Sequence, residues 1–221
     1  MTPGDVLAGL LRSDPTSPRI TCYDDGTGER IELSGKVLVN WVSKAANLLQ
    51  DELDVGPGAT VALQLPADHW RTYYWALAAW SVGAHVITAD GPSDVAVAQA
   101  AVASGDTQIV VTLAALARRA TVDVPAGGID EARELSSYGD VFVAYRAPAD
   151  ADPALDDTSY ADLVAVGGAL RRRVLVTGDL GDALRDALAV WADDGSVLLL
   201  RDVRPEDVDR RLTTEGAEAR P

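Results

Sequence analysis

Residues 55–90, VGPGATVALQLPADHWRTYYWALAAWSVGAHVITAD, read as turn, strand, helix and strand. Gly56-Pro57-Gly58 is a breaker cluster, and the apolar, β-rich run TVALQL that follows it is stopped by Pro66, the pattern of a short buried strand entered by a tight turn. Asp68 is placed to cap a helix over residues 69–82, and Gly83 to close it in the left-handed conformation. AHVIT, residues 84–88, is the next strand. A strand, helix and strand this close in sequence make a right-handed parallel crossover.

The helix of this unit is apolar nearly all round. At 100° per residue, Trp70, Tyr73, Tyr74, Leu77 and Trp80 share one broad face, while Trp75, Ala79 and Val82 lie on the other. The first face belongs against a sheet. A helix apolar nearly all round is covered nearly all round, so the first reading is a core helix sandwiched between the sheet and neighbouring helices; the alternative is an aromatic-lined ligand pocket or a subunit interface, for which Trp75, Ala79 and Val82 are the candidate contact with a partner or second copy of the chain.

Working outward, residues 1–14 hold an amphipathic leading helix (Val6, Leu7, Leu10, Leu11), and residues 20–23 and 29–33 are strand-like runs around Asp24-Asp25-Gly26-Thr27-Gly28, a hairpin signal. Ser34 caps a helix whose apolar positions, Leu38, Trp41, Val42, Ala45, Leu48 and Leu49, recur at helical spacing up to Leu53. Beyond the opening stretch, the pattern predicts a helix from Ser93 or Asp94 through Ala103, a strand over 108–112, a short helix over 113–119, a short strand over 122–124 and a strand over 140–145 (DVFVAY). Residues 146–157 (RAPADADPALDD) read as an exposed loop. The last third predicts a helix over 158–170, carrying Leu163, Val166 and Leu170, a strand over 174–177, a helix over 181–192, a strand over 196–200 and a final helix over 206–212 that Pro205 opens. The expectation is an α/β fold of layered βαβ units, mostly parallel sheets flanked by helices. It is one domain over residues 1–221, either undivided or with lobes at 1–145 and 158–215 joined by the loop at 146–157.

Composition narrows the function. Of 221 residues, 48% are hydrophobic, ample for a core, and 19 basic against 34 acidic residues leave a formal charge of −15. A nucleic-acid backbone or an anionic membrane would be repelled, so neither is expected as a partner. Lysine occurs only at positions 36 and 44, and the Arg, Ala, Val and Asp bias is that of a GC-rich, actinobacterial-type gene. Without an export signal or an apolar run near the roughly 20 residues of a spanning helix, the expected compartment is the cytoplasm.

Motifs for chemistry are thin. Cys22 is the only cysteine, and His69 and His85 have no metal-ligand spacing, so neither a metal site nor a thiol nucleophile is expected. Gly178-Asp179-Leu180-Gly181 follows a strand and opens a helix, but lacks the third glycine of a dinucleotide fingerprint and sets an aspartate where a phosphate would sit. No catalytic residue stands out and no cofactor is implied.

The run over residues 20–112 resembles the first part of the adenylate-forming (AMP-binding) superfamily of acyl-CoA synthetases, luciferases and adenylation domains. The matches are Tyr23 in the hairpin, Leu48-Leu49 ending the long helix, Gly56-Pro57-Gly58 before the strand, and Gly83-Ala84 after the aromatic helix; residues 173–203 are similar to a later strand, helix and strand of that family. The resemblance spans about residues 18–215 and implies the N-terminal part of that fold. It also implies a phosphate-holding loop, rich in Ser, Thr and Gly and ending in Pro-Lys-Gly, between the two matched regions. Here that stretch, residues 136–157, reads SSYGDVFVAYRAPADADPALDD, with one glycine, no lysine and several aspartates. Since no lysine follows Lys44, neither a loop lysine nor the family's C-terminal catalytic lysine is present, and the sequence stops short of the adenine motif and the mobile C-terminal domain. The expectation is therefore a catalytically inactive relative acting as a binding or protein-interaction module, with an unknown protein partner or as a homodimer. The alternative is an enzyme or binder of nucleotide or acyl ligands with a repurposed pocket at the strand carboxyl ends, near residues 65–70, 88–92 and 177–181.

Overall fold

The computed structural model describes residues 1–165 and 171–219. In chain order the elements are α1 (Pro3–Ser13), the hairpin of β1 (Pro18–Asp24) and β2 (Glu29–Ser34), α2 (Gly35–Asn47) running into a π-helical turn (Leu48–Glu52), β3 (Thr60–Gln64), α3 (Trp70–Ser81), β4 (His85–Ile87), β5 (Val95–Ala98) and β6 (Thr107–Val110). They continue with β7 (Ile129–Asp130), α4 (Glu131–Glu134), β8 (Pro153–Leu155), β9 (Thr158–Ser159), β10 (Arg173–Leu175), α5 (Leu180–Ala192), β11 (Ser196–Arg201), α6 (Pro205–Glu215) and β12 (Ala217–Ala219).

These elements form two compact units, neither contiguous in sequence: residues 1–38, 66–70 and 164–221 make one, residues 39–65 and 71–163 the other. The expected loop at 146–157 lies inside the second unit. The first unit carries a five-stranded sheet of order β12-β10-β11-β1-β2, parallel except for the β1–β2 hairpin. Its α1 starts with Thr2, which accepts from the Asp5 amide while the Asp5 side chain accepts from Thr2, a capping box that satisfies helix-end donors otherwise left open. The Trp191 indole of α5 donates to the Arg19 carbonyl of β1 at 2.9 Å, fixing the helix over the strand.

The second unit carries a seven-stranded sheet of order β7-β6-β5-β3-β4-β8-β9, parallel except for β8 and β9. Here the crossover read from residues 55–90 is present: β3 and β4 pair parallel, Val61 opposite Val86, with α3 between them in the chain. The turn and the helix end are mutually fitted. Gly83 sits at φ +85°, and a Cβ there would lie 2.9 Å from Pro57 Cγ, so glycine is required both by the backbone and by the proline of the preceding turn.

Several expectations are corrected. The helix expected from Ser93 or Asp94 to Ala103 is instead β5, whose four residues VAVA are all buried between β3 and β6; pairing within a sheet covered on both faces outweighs the helical preference of alanine. Residues 113–119 and 122–124 hold neither the expected helix nor the expected strand. Of the helix expected over 158–170, residues 158 and 159 are β9 and 160–165 are non-helical, because the Tyr160 hydroxyl is drawn to the Ala84 carbonyl at 2.7 Å and its amide to Asp152; Val166, Gly167-Gly168 and Leu170 lie outside the described residues. Residues 140–145 join no sheet, and what holds them instead defines the site described next.

Candidate interaction surface

Within the second unit, α2 and its π-helical turn present polar side chains among apolar ones. Lys44, Asn47, Gln50 and Asp51 follow one another along one edge, the wider π turn bringing Gln50 and Asp51 together. Against this edge lies the segment 138–146. Lys44 Nζ donates to the carbonyls of Tyr138 and Ser136 (2.5 and 3.2 Å) and pairs with Asp140 at 2.8 Å. Asn47 Nδ2 donates to the carbonyls of Gly139 and Val141, both at 3.0 Å. Gln50 donates to the Val143 carbonyl at 3.2 Å and accepts from the Tyr145 amide at 2.9 Å, and the Tyr145 hydroxyl donates to Asp51 at 2.9 Å.

Beyond Tyr138 the bonded backbone groups belong to residues 139, 141, 143 and 145, the period of two of an extended chain, which is entered by a bend at 140 and left by bends at 145 and 146. Side chains of a helix thus do for this segment what a neighbouring strand does in a sheet. The opposite edge is open: among the described residues the amides and carbonyls of residues 140, 142 and 144 have no hydrogen-bond partner. The side chains of the odd residues face solvent, Val141 at 78%, Val143 at 74% and Tyr145 at 75% exposure. An open backbone edge beside an apolar exposed row is the arrangement that invites strand pairing. At its ends, Asp140 remains 58% exposed despite Lys44, and Arg146, lying over Gly56, is exposed with no carboxylate partner among the described residues.

The face of α3 that the sequence offered as an alternative interface lies in the interior, as do Arg71 and Tyr74 of the same helix. Trp75, Ala79 and Val82, the alternative interface, are at most 1% exposed and offer no surface to a second molecule in the folded chain, so α3 is the core helix of the first reading. On α3, Arg71 meets Glu131 at 2.8 Å and reaches the Ala114 carbonyl at 3.2 Å; the Tyr74 hydroxyl donates to the same carboxylate, and Trp41 stacks on Tyr74 with ring centres 5.6 Å apart. Burial pushes the Glu131 carboxyl above its ordinary value, with Arg71 and the Tyr74 hydroxyl pulling the other way. Cys22 is buried with its thiol directed at the Asp68 carbonyl, and burial pushes it up to about 12, leaving no thiolate for nucleophilic chemistry near neutral pH.

His85 bonds the Asp156 carbonyl at 2.8 Å, and among the described residues no group of three or more His, Cys, Asp or Glu side chains is arranged to hold a metal ion. Asp179 caps α5 by accepting from the Asp182 amide at 2.9 Å, so Gly178-Asp179-Leu180-Gly181 is the tight strand-to-helix turn, with Gly178 at φ +107°. A cavity of about 780 Å³ in the second unit touches residues 90–92 of the expected ligand region, but its charged lining is Asp90, Asp94 and Asp106 with no cation. In the first unit a cavity of about 580 Å³ contains Arg19, Arg171 and Arg173, each already paired with Asp194 or Glu215. Neither is furnished for a phosphate.

The sequence left a signal for the surface that was read differently. Lys44, Asn47 and Gln50, three apart along the helix, mark a polar edge, and DVFVAYR alternates as a strand does. What the pattern leaves open is whether the partner of such a strand is a strand at all.

No protein-family model matches the chain. Similar solved structures are an acyl-CoA synthetase from Brucella canis (15% identity, TM-score 0.72, covering 100% of this chain and 47% of that one) and coronafacic acid ligase from Pectobacterium brasiliense (12%, 0.69, 99% and 50%). The N-terminal domain of FACL13 from Mycobacterium tuberculosis is a third (15%, 0.67, 98% and 61%). The chain spans about half the length of the first two of these proteins. Its fold is that of the N-terminal part of adenylate-forming synthetases and ligases, as the resemblance implied. A TIGR03089 family protein of Mycobacterium tuberculosis H37Rv is 37% identical over 233 residues, 96% of this chain and 94% of that protein. The chain belongs to the TIGR03089 family. Among the described residues no helix is long and apolar enough to cross a membrane.

Proposed function

We propose that this protein is a protein-interaction module built on the adenylate-forming scaffold and does not itself form adenylates. One observation carries the reading: the stretch expected to hold phosphate, residues 136–157, has no lysine, and its part 138–146 is tied along α2 with an apolar row turned to solvent. A phosphate loop needs free backbone amides converging on an anion and a cation to complete it. This segment instead turns its carbonyls to Asn47 and Gln50, and the lysine near it, Lys44, is held by Asp140 and two carbonyls. A cytoplasmic setting in an actinobacterial-type cell belongs to this reading, and the mycobacterial relative supports its actinobacterial part.

The test is pyrophosphate release from ATP with a panel of fatty, aryl and amino acids. The reading expects none above the no-enzyme blank; ATP- and acid-dependent turnover would overturn it. A thermal-shift screen with nucleotides, CoA and acyl compounds bears on the alternative, since reproducible stabilisation by one class would favour a ligand-binding pocket.

A further inference from the structure

The open edge has a symmetry in its sequence. Residues 140–146, DVFVAYR, begin with an acid and end with a base, with Val143 at the centre. Within residues 140–146 the even residues have neither amide nor carbonyl bonded among the described residues, whereas 141, 143 and 145 each spend one backbone group on α2, so a strand added on the far edge bonds residues 140, 142, 144 and 146. If the incoming strand is another copy of the same segment, antiparallel and related by a twofold axis at Val143, the even residues pair with even residues: Phe142 faces Ala144, and Asp140 faces Arg146, twice. Parity, open edge and charge are satisfied by the same register. Shifting by two residues in either direction keeps the parity but separates the acid from the base.

The odd residues then form the non-hydrogen-bonded pairs, where side chains approach most closely. Val143 meets its own copy, and Val141 meets Tyr145, a β-branched residue against an aromatic one, the kind of cross-strand pair that stabilises a ladder. All three are now exposed, at 74–78%. Tyr145 is already oriented by its bond to Asp51, and the backbone by Asn47 and Gln50, so little ordering remains to be done on association.

We propose that the segment 140–146 is a self-complementary docking edge, through which two copies of this chain pair antiparallel about Val143. The inference rests on the proposed interaction role and names its partner as a second copy. An edge this short gives a small interface, at the weak end of the range for specific complexes.

The experiment is sedimentation velocity on the full chain and its variants up to about 200 µM, where a weak, small interface is still populated. The expected result is a concentration-dependent dimer. Val143→Lys puts two like charges together at the axis and should yield a monomer with unchanged circular dichroism, since the side chain is exposed. Asp140→Arg alone sets Arg against Arg at both ends and Arg146→Asp alone sets Asp against Asp, so each should weaken the dimer about tenfold or more. An equimolar mixture of those two variants places Arg against Asp at both ends and should restore association. A monomer across the range, a dimer indifferent to Val143→Lys, or a mixture no better than its components would each overturn the inference. Those outcomes leave the proposed function standing, whereas pyrophosphate release would remove that function without touching the dimer.

Discussion

Arg71 and Glu131, 60 residues apart in sequence, join their charges at 2.8 Å in the interior of the second unit, with side-chain exposures of 3% and 1%. A pair so placed does not stabilise by its attraction alone, because both charges have left water, but removing one partner strands the other. Glu131→Ala should lower unfolding stability by about 3–5 kcal/mol, while Arg71→Met with Glu131→Leu together should lose much less. Urea titration of the three proteins checks this; equal losses in the single and double variants would contradict it.

Gly83 is fixed by its own backbone and by Pro57. Gly83→Ala must carry a Cβ at φ +85° to within 2.9 Å of Pro57 Cγ, and should cost on the order of 1–3 kcal/mol. Adding Pro57→Ala removes the overlap and should recover part of that loss. Thermal midpoints of the two variants and the double form the check.

Gln50 is the link that both donates to and accepts from the segment beside it. Gln50→Ala should cost about 1 kcal/mol and speed amide exchange at Tyr145, whose amide bonds the Gln50 side chain. Exchange in the paired strands β3 and β5 should not change. Hydrogen exchange by mass spectrometry or NMR measures both.

At the end of α6, Glu215 accepts from the Tyr23 hydroxyl at 2.5 Å and pairs with Arg30 at 3.1 Å and with Arg173. Burial pushes the carboxyl up, but Tyr23, Arg30 and Arg173 outweigh it and hold it below its ordinary 4.5. A carboxylate held low stabilises the folded state above its unfolded pKa and stops doing so as pH falls through the folded value. The attachment of α6 should therefore be pH-independent above about 6 and weaken below 4.5, and Tyr23→Phe, which brings the folded pKa back toward 4.5, should make that loss smaller and complete at higher pH. Acid titration followed by exchange in α6 reads the onset.

Cys22 should be silent toward a disulfide reagent at pH 8 in the native protein and react stoichiometrically in denaturant, as its burial and raised pKa require. Rapid native labelling would show that its cover opens.

The crossover of residues 55–90 was legible because each local signal agrees with the next: a glycine-proline turn, a proline stop, an apolar helix and a glycine closing it. β5 was not, since VAVA suits a helix as well as a buried strand and only the strands on either side decide. The segment 140–145 was legible as extended but not in its surroundings, because its partners are side chains about 90 residues earlier. Likewise nothing in the run Glu131-Ala132-Arg133-Glu134 marks Glu131 as the residue that enters the core, since its partner is on α3. The second apolar face of α3, with Trp75, told that it is covered, as the core-helix reading expects, but not by what, and so left an interface open that its burial closes.

In the first unit's sheet, β1 lies between β2 and β11, with Ile20 opposite Val197. On the ribosome these strands are born far apart in time. At ordinary elongation rates the hairpin of β1 and β2 waits on the order of ten seconds before β11 is made. The second unit has all its residues once Leu163 has emerged and is free to close first. Until β11 arrives, Ile20 and Cys22, fully or nearly buried in the finished protein, stand on an unprotected edge. The order of synthesis thus makes a later strand the caretaker of an earlier one, and keeps the window for misassembly open until β11 has been made.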